Sequence, residues 1–240
     1  MKLSHKVALI TGAGRGIGRA IALTYAQAGA DLALVSRTRT ELEVVAAEVQ
    51  AFGRRALVIV ADIANPVDVQ RMVEETLAEF GQIDILVNNA AIAGPKKVID
   101  LSLVEWQQMI DVNLTGVFLC SQAVLKPMID RRQGKIITIS SGSGLRGSPS
   151  NAAYSAAKAG VIRFTEALAG EVREFGLEAN IICPGPIKTE MLASRPSSGP
   201  VDESIFLEPE DVAGAALFLA SDQAGQMTAQ IIQVRNSNRW

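Results

Sequence analysis

The run Val7-Ala8-Leu9-Ile10-Thr11-Gly12-Ala13-Gly14-Arg15-Gly16-Ile17-Gly18 decides how this chain folds. Its first five residues are apolar or β-branched and read as a strand buried on both faces. The glycines that follow permit a tight turn and let backbone approach a ligand closely. A helix-forming stretch comes next, and its N-terminus offers unpaired N–H groups and the positive end of a helix dipole. Strand, glycine turn and helix form the first half of a βαβ unit built to hold an anionic group, with Gly12, Gly16, Ile17 and Gly18 as contacts for a pyrophosphate.

The same alternation continues outward. Strand-like runs occur at Val7–Thr11, Leu32–Ser36, Ala56–Ala61, Ile83–Asn88, Lys135–Ser140, Ala179–Cys183 and Gln230–Val234, with helical stretches between them. Asn65-Pro66 gives a helix cap followed by proline at the first helical position. Ser102 and Glu105 form a capping box. Gly29, Gly53, Gly81 and Gly176 stand where helices stop. The expectation is an α/β fold: a Rossmann-type, doubly wound parallel sheet of about seven strands with helices on both faces, forming one domain over residues 1–240. Lys188 to Glu208 is rich in Ser, Pro and Gly without a clear period and reads as a lid-like loop.

Composition narrows the function classes. Of the 240 residues 48% are hydrophobic and 20% charged, the profile of a packed globular chain. A net charge of −2 with both signs interspersed gives no electrostatic reason to expect nucleic acid or an anionic membrane as partner. The N-terminal residues lack the apolar region of a signal peptide, and no apolar run approaches the ~18–20 residues that span a bilayer. A cytoplasmic protein is expected. Cys120 and Cys183 read as two buried thiols, and no His/Cys cluster suggests a metal site. His5, the only histidine, has no partners for a hydrolase triad. Trp106 and Phe118 read as core.

The second strand bears on the ligand. An NAD site places Asp or Glu near its end for the ribose hydroxyls, whereas this strand ends Val35-Ser36-Arg37. Arg15 and Arg37, with the Ser36 hydroxyl, suit a 2′-phosphate, so NADP(H) is the expected cofactor. The alternative is two solvated arginines. Further along, Tyr154 and Lys158 are spaced i, i+4 and share one helix face. A lysine ammonium beside a phenol favours the phenolate and moves its pKa down from ~10, making the phenol usable for proton transfer.

Taken together, the glycine turn, Asp62-Ile63, Asn88-Asn89-Ala90, Asn113, Ser141, Tyr154-x-x-x-Lys158 and Pro184-Gly185 resemble the short-chain dehydrogenase/reductase family in order and spacing over nearly the whole chain. The resemblance implies an NADPH-dependent oxidoreductase that reduces a ketone or 3-oxoacyl thioester. In it Tyr154 is the proton donor and Lys158 its modulator and ribose ligand. Ser141 holds the carbonyl oxygen, and Asn113 is part of a proton relay. The cofactor would be bordered by Asp62, Ile63, Asn89, Ala90, Pro184, Gly185, Ile187 and Thr189.

Within the family the chain is most similar to 3-oxoacyl-[acyl-carrier-protein] reductases. Arg131 and Arg132 are candidates for docking a carrier-linked substrate, or else ordinary solvated arginines; the matching basic position near the end of the catalytic helix is Phe175 here, with Arg173 close by. A homodimer or homotetramer is implied. Two readings compete: a dehydrogenase oxidising a sugar, polyol or steroid alcohol, and a non-catalytic NADPH-binding scaffold. The chain departs from the family pattern at Ala91, usually Gly. It departs again after Val234, where Arg235-Asn236-Ser237 replaces an acidic residue and two glycines. The second departure bears on the tetramer and on closure of the substrate pocket.

Overall fold

The seven apolar runs assemble into one parallel sheet in the computed structural model, which describes residues 2–189 and 206–236. The strands are β1 (Val7–Thr11), β2 (Asp31–Ser36), β3 (Ala56–Val60), β4 (Ile85–Asn88), β5 (Gly134–Ile139), β6 (Leu177–Pro184) and β7 (Ile231–Val234), in the order β3-β2-β1-β4-β5-β6-β7. All seven expected strands are present, with ends shifted by at most two residues. The lid-like segment falls mostly outside the described residues, at 190–205.

Helices fill the connections between the strands: α1 (Gly16–Gln27), α2 (Arg39–Ala51), α3 (Pro66–Phe80), α4 (Leu103–Ile110), α5 (Gly116–Arg131), α6 (Gly142–Leu145), α7 (Ala152–Val172) and α8 (Pro209–Ala220). Alternate strand residues serve opposite layers, because successive side chains point to opposite faces. Ala8, Ile10, Leu32 and Leu34 pack with residues of α1, α2 and α8, whereas Leu9, Ala33 and Val35 pack with residues of α3, α5 and α7. Tyr25, fully buried on α1, donates to the Ala216 carbonyl on α8 at 2.9 Å and joins the two helices.

The local signals act as read. The Asn65 side chain accepts from the Val67 N–H at 2.9 Å, and the Ser102–Glu105 capping box is formed. Cys120 and Cys183 are buried thiols, and burial pushes Cys120 up to about 12. Phe118 corrects the sequence expectation. It is 41% exposed and touches Phe164 edge-on rather than entering the core. Leu103–Arg131 is also longer and more apolar than expected. Its 29 residues form a continuous helical rod that is long and apolar enough, by length and composition only, to cross a bilayer. In the fold, Cys120, Val124 and Met128 of that rod are buried against the sheet.

Strand order places the site. The chain runs outward from β1 to β3 and returns on the other side of β1 at β4, so the connections leave β1 and β4 in opposite directions. A crevice opens at their carboxyl ends, where open sheets of this type bind ligands.

Candidate active site

The glycine turn leaves β1 at Thr11 and enters α1 at Gly16, with Arg15 at the N-cap giving no side-chain cap. The first-turn N–H groups are therefore left for a ligand or solvent. Two glycines are required by close approach. A β-carbon on Gly12, whose φ is +66°, would lie 2.8 Å from Ala90 Cα, and one on Gly18 would lie 2.0 Å from the Gly12 carbonyl oxygen. Asn89 Nδ2 donates to the Thr11 and Gly12 carbonyls at 3.0 and 3.1 Å. Thr11 Oγ1 donates to the Val87 carbonyl and accepts from the Asn89 and Ala90 N–H groups at 3.0 and 3.1 Å. These bonds hold the ends of β1 and β4 together before any ligand arrives. In the sequence Thr11 is marked only by its position as the last residue of a buried strand.

A cavity of about 480 Å³ runs from this turn across the carboxyl ends of β2, β1 and β4 to α7. Its walls bring together Gly12, Arg15, Gly16, Ile17, Ser36, Arg37, Asp62, Ile63, Asn89, Ala90, Tyr154, Lys158 and Thr189. The volume lies within the range of small-molecule and cofactor sites. Gly18 and Asn113, both expected at the site, are not in this cavity's wall; Gly18 acts through helix–turn packing instead. At the β2 end, Ser36 Oγ accepts from the Thr38 N–H at 3.2 Å, and Arg37 is exposed. A carboxylate does reach this end, from α2 rather than β2. Glu41 lines the cavity and lies 3.6 Å from Arg15 Nη1. Spacing from the glycines could not show it, because Glu41 arrives one helical turn past the strand end.

At the other end, Tyr154 and Lys158 share one face of α7, as their spacing requires. Tyr154 is 7% exposed and Lys158 2%. Lys158 Nζ donates to the Ile139 carbonyl at 2.8 Å and lies 5.8 Å from the Tyr154 ring centroid. Burial lowers the lysine to about 8. Behind it, Ser140 Oγ donates to the Lys158 carbonyl at 2.8 Å, so the Ser140 hydroxyl is engaged with α7. Ser141 caps α6, accepting from the Ser143 N–H at 3.1 Å. It lines a second cavity of about 730 Å³ with Tyr154, Pro184, Gly185 and Ile187. The last three thus border this second space rather than the first. Ile17, Ser140, Tyr154 and Thr189 belong to both walls.

Asn113 is fully buried and lies in a one-turn π-helix, Asp111–Thr115, between α4 and α5. Sequence periodicity gives an uninterrupted helix here, whereas the structure has the kind of π-bulge that often marks functional sites. The asparagine does not simply bond within its own helix. Its Oδ1 accepts from the Ile92 N–H and its Nδ2 donates to the Ile92 carbonyl, both at 3.0 Å, besides a contact to Met109 Sδ at 2.8 Å. It clamps the loop after β4 that borders the first cavity.

Arg131 and Arg132, the candidates for carrier docking, have partners within the fold. Arg131 lies 2.9 Å from the buried Asp84 carboxylate, and Arg132 donates to the Glu174 carbonyl at 2.7 Å.

Known proteins share this arrangement. A sequence profile described as short chain dehydrogenase matches residues 6–198. The chain is 42% identical to a 3-oxoacyl-[acyl-carrier-protein] reductase of Synechocystis sp., over 97% of this chain and 96% of that protein. It is 39% identical to the (2S)-[(R)-hydroxy(phenyl)methyl]succinyl-CoA dehydrogenase subunit BbsD of Thauera aromatica, over 98% and 96%. Among solved structures, a short-chain type dehydrogenase/reductase from Mycobacterium marinum superimposes with a TM-score of 0.91 at 38% identity, over 97% of this chain and 95% of that one. With the sheet order, the glycine turn and the buried Tyr154–Lys158 pair, these matches establish that the chain belongs to the short-chain dehydrogenase/reductase family of oxidoreductases.

Proposed function

We propose that this protein is a cytoplasmic NADPH-dependent reductase that converts a ketone or 3-oxoacyl thioester to its alcohol, with Tyr154 as the general acid. The observation that carries this reading is the position of Tyr154 in the wall shared by the two cavities, with the buried Lys158 ammonium behind it. A group in the first cavity and a substrate in the second would meet at its hydroxyl.

The residues fit a nicotinamide dinucleotide. The Gly12–Gly18 turn leaves room only where side chains are absent, and the uncapped N-terminus of α1 suits a pyrophosphate. Arg15 and Arg37 at the β2 end supply cations for a 2′-phosphate, which favours NADPH. When bound, the reduced nicotinamide supplies the hydride.

The chain's own residues handle the oxygen and the proton. Ser141 donates a hydrogen bond to the carbonyl oxygen and stabilises the charge that develops on it. Tyr154 gives its proton to that oxygen, and the Lys158 ammonium favours the phenolate left behind. Lys158 is held in place by the Ile139 carbonyl. Asn113 fixes the loop at Ile92 and serves the relay that returns a proton to the pair. The 3-oxoacyl thioester as substrate is supported by the Synechocystis relative's activity. Self-association as a dimer or tetramer belongs to the same reading, and the exposed apolar side chains Val98, Ile99, Leu103 and Val104 support it.

The test is NADPH oxidation by the purified protein against an acetoacetyl thioester, a diketone, an aromatic aldehyde and a keto sugar. Turnover of the thioester or diketone with NADPH in preference to NADH is the expected result. No turnover of any of the four, in protein that binds NADPH, contradicts it.

A further inference from the structure

The two cavities differ in charge. Among the described residues, the first mixes arginine and lysine with the carboxylates of Glu41, Asp62 and Glu210, whereas the second has Arg146 and Arg235 as its charged walls and no carboxylate. Neither arginine has an ion pair among the described residues. An arginine that faces a cavity rather than a protein carboxylate is well suited to an anionic ligand, because its planar fork matches a carboxylate with two parallel hydrogen bonds.

Their placement is specific. Arg235 follows β7 directly, and the Gly185 N–H donates to the Val234 carbonyl at 2.8 Å, which fixes the backbone just before it. Its stem lies along Gly185, where an added β-carbon would stand 3.8 Å from Arg235 Cγ. Its head reaches Gly142, where an added β-carbon would stand 3.9 Å from Nη2. Gly142 is the residue after Ser141, so the guanidinium sits close to the serine assigned to the carbonyl oxygen. Arg146 comes from a different element, at the C-cap of α6, and lines the same space.

We propose that the substrate is a keto acid: a ketone bearing a free carboxylate a few bonds from the carbonyl carbon, with Arg235 as its principal ligand and Arg146 as the second. This names the substrate class of the site and rests on the reductase reading given above. The altered residue after β7 then acts as a specificity determinant.

The experiment compares levulinate with its methyl ester, the same ketone with and without the charge. Affinity for each is measured by calorimetric titration of protein saturated with NADP+, and turnover is followed alongside with NADPH. The acid is expected to bind ~10-fold or more tightly than the ester, as a charge-assisted bidentate contact allows. Arg235→Gln is expected to bring that ratio to about one, and Arg146→Gln to reduce it, as expected for loss of the paired guanidinium. Acid bound no more tightly than ester by the unaltered protein, including binding of neither, overturns the proposal. So does a preference that survives in both variants. The binding ratio decides this point even if the ketone is not reduced, whereas turnover of the ester alone upholds the reductase and removes the keto acid.

Discussion

The Lys158 ammonium donates to the main-chain carbonyl of Ile139 at 2.8 Å, inside the protein and at the strand end that leads into Ser140 and Ser141. One hydrogen bond thereby ties α7, which carries the proposed proton-transfer pair, to the end of β5, just before the serine proposed to bind the carbonyl. The charge is held away from water, and burial brings the lysine from its ordinary 10.5 to about 8.

That shift fixes a pH dependence of stability in the ligand-free protein. Below about 8 folded and unfolded chains both hold the proton, and the folded state carries the full cost of burying the charge. Between about 8 and 10.5 the unfolded chain alone holds it, so the contribution of this site to stability rises with pH across that window. The whole effect is on the order of 3 kcal/mol. Thermal unfolding of the protein and of Lys158→Met, compared from pH 7.5 to pH 10, is expected to move in favour of the unaltered protein by roughly 1–3 kcal/mol. A difference that stays flat contradicts the buried charge.

Glu41 bears on cofactor choice. Its carboxylate stands 3.6 Å from Arg15 and lines the cavity end assigned to the 2′-phosphate, where it both occupies the arginine and repels an anion. Glu41→Gln is expected to improve the ratio of NADPH to NADH affinity by roughly 3–10-fold, since the pair is partly exposed. Arg37→Gln is expected to weaken NADPH by about 10-fold and leave NADH nearly unchanged. Fluorescence titration with both cofactors measures each, and ratios unmoved in both variants contradict the assignment.

Two glycines in helices give opposite results on substitution by alanine. Gly18→Ala sets a methyl 2.0 Å from the Gly12 carbonyl oxygen, backbone that cannot move without opening the turn. It is expected to cost about 3 kcal/mol or more, as overpacking against rigid atoms does. Gly214→Ala on α8 meets nothing within 4 Å and is expected to stabilise by ~0.5–1 kcal/mol. Denaturant melts of the two variants check this, and a neutral Gly18→Ala contradicts it.

Arg131 is expected to act in the fold. It satisfies Asp84, a carboxylate 3% exposed that also accepts from the Val7 N–H at the start of β1 at 2.8 Å. Arg131→Ala leaves that charge short of its cation and is expected to cost roughly 2–4 kcal/mol. Arg173→Ala, on an exposed turn, is expected to change stability by less than about 0.5 kcal/mol. Loss of turnover on a carrier-linked substrate with unchanged stability in Arg131→Ala would return this arginine to the docking role.

Most of the fold is legible in the sequence because parallel strands buried on both faces are continuous apolar runs, and helix ends are marked by residues such as Asn65, Ser102 and Gly81. Most cavity-lining residues are legible too, since Gly12, Asn89 and Tyr154 sit at or just past strand ends or at fixed helical spacing. The π-turn around Asn113 is hidden, because one extra residue per turn leaves no mark in the apolar pattern. Glu41 is hidden for a different reason, since it reaches its cavity from α2 across a gap that only the packed structure closes. Arg235 is legible as a departure beside the substrate pocket, but the course of its side chain along Gly185 to Gly142 is not. Phe118 misleads because an apolar helix residue reads the same whether it faces the sheet or the outside.

The proposed carbonyl reduction takes its proton from Tyr154, at the junction of the two cavities. Single-turnover NADPH oxidation by the protein and by Tyr154→Phe, with NADPH affinity measured on both, tests it most directly. Removal of a positioned general acid is expected to slow the reaction by roughly 10²–10⁴-fold while NADPH still binds. A phenylalanine variant that turns over as fast as the unaltered protein would rule out Tyr154 as the proton donor.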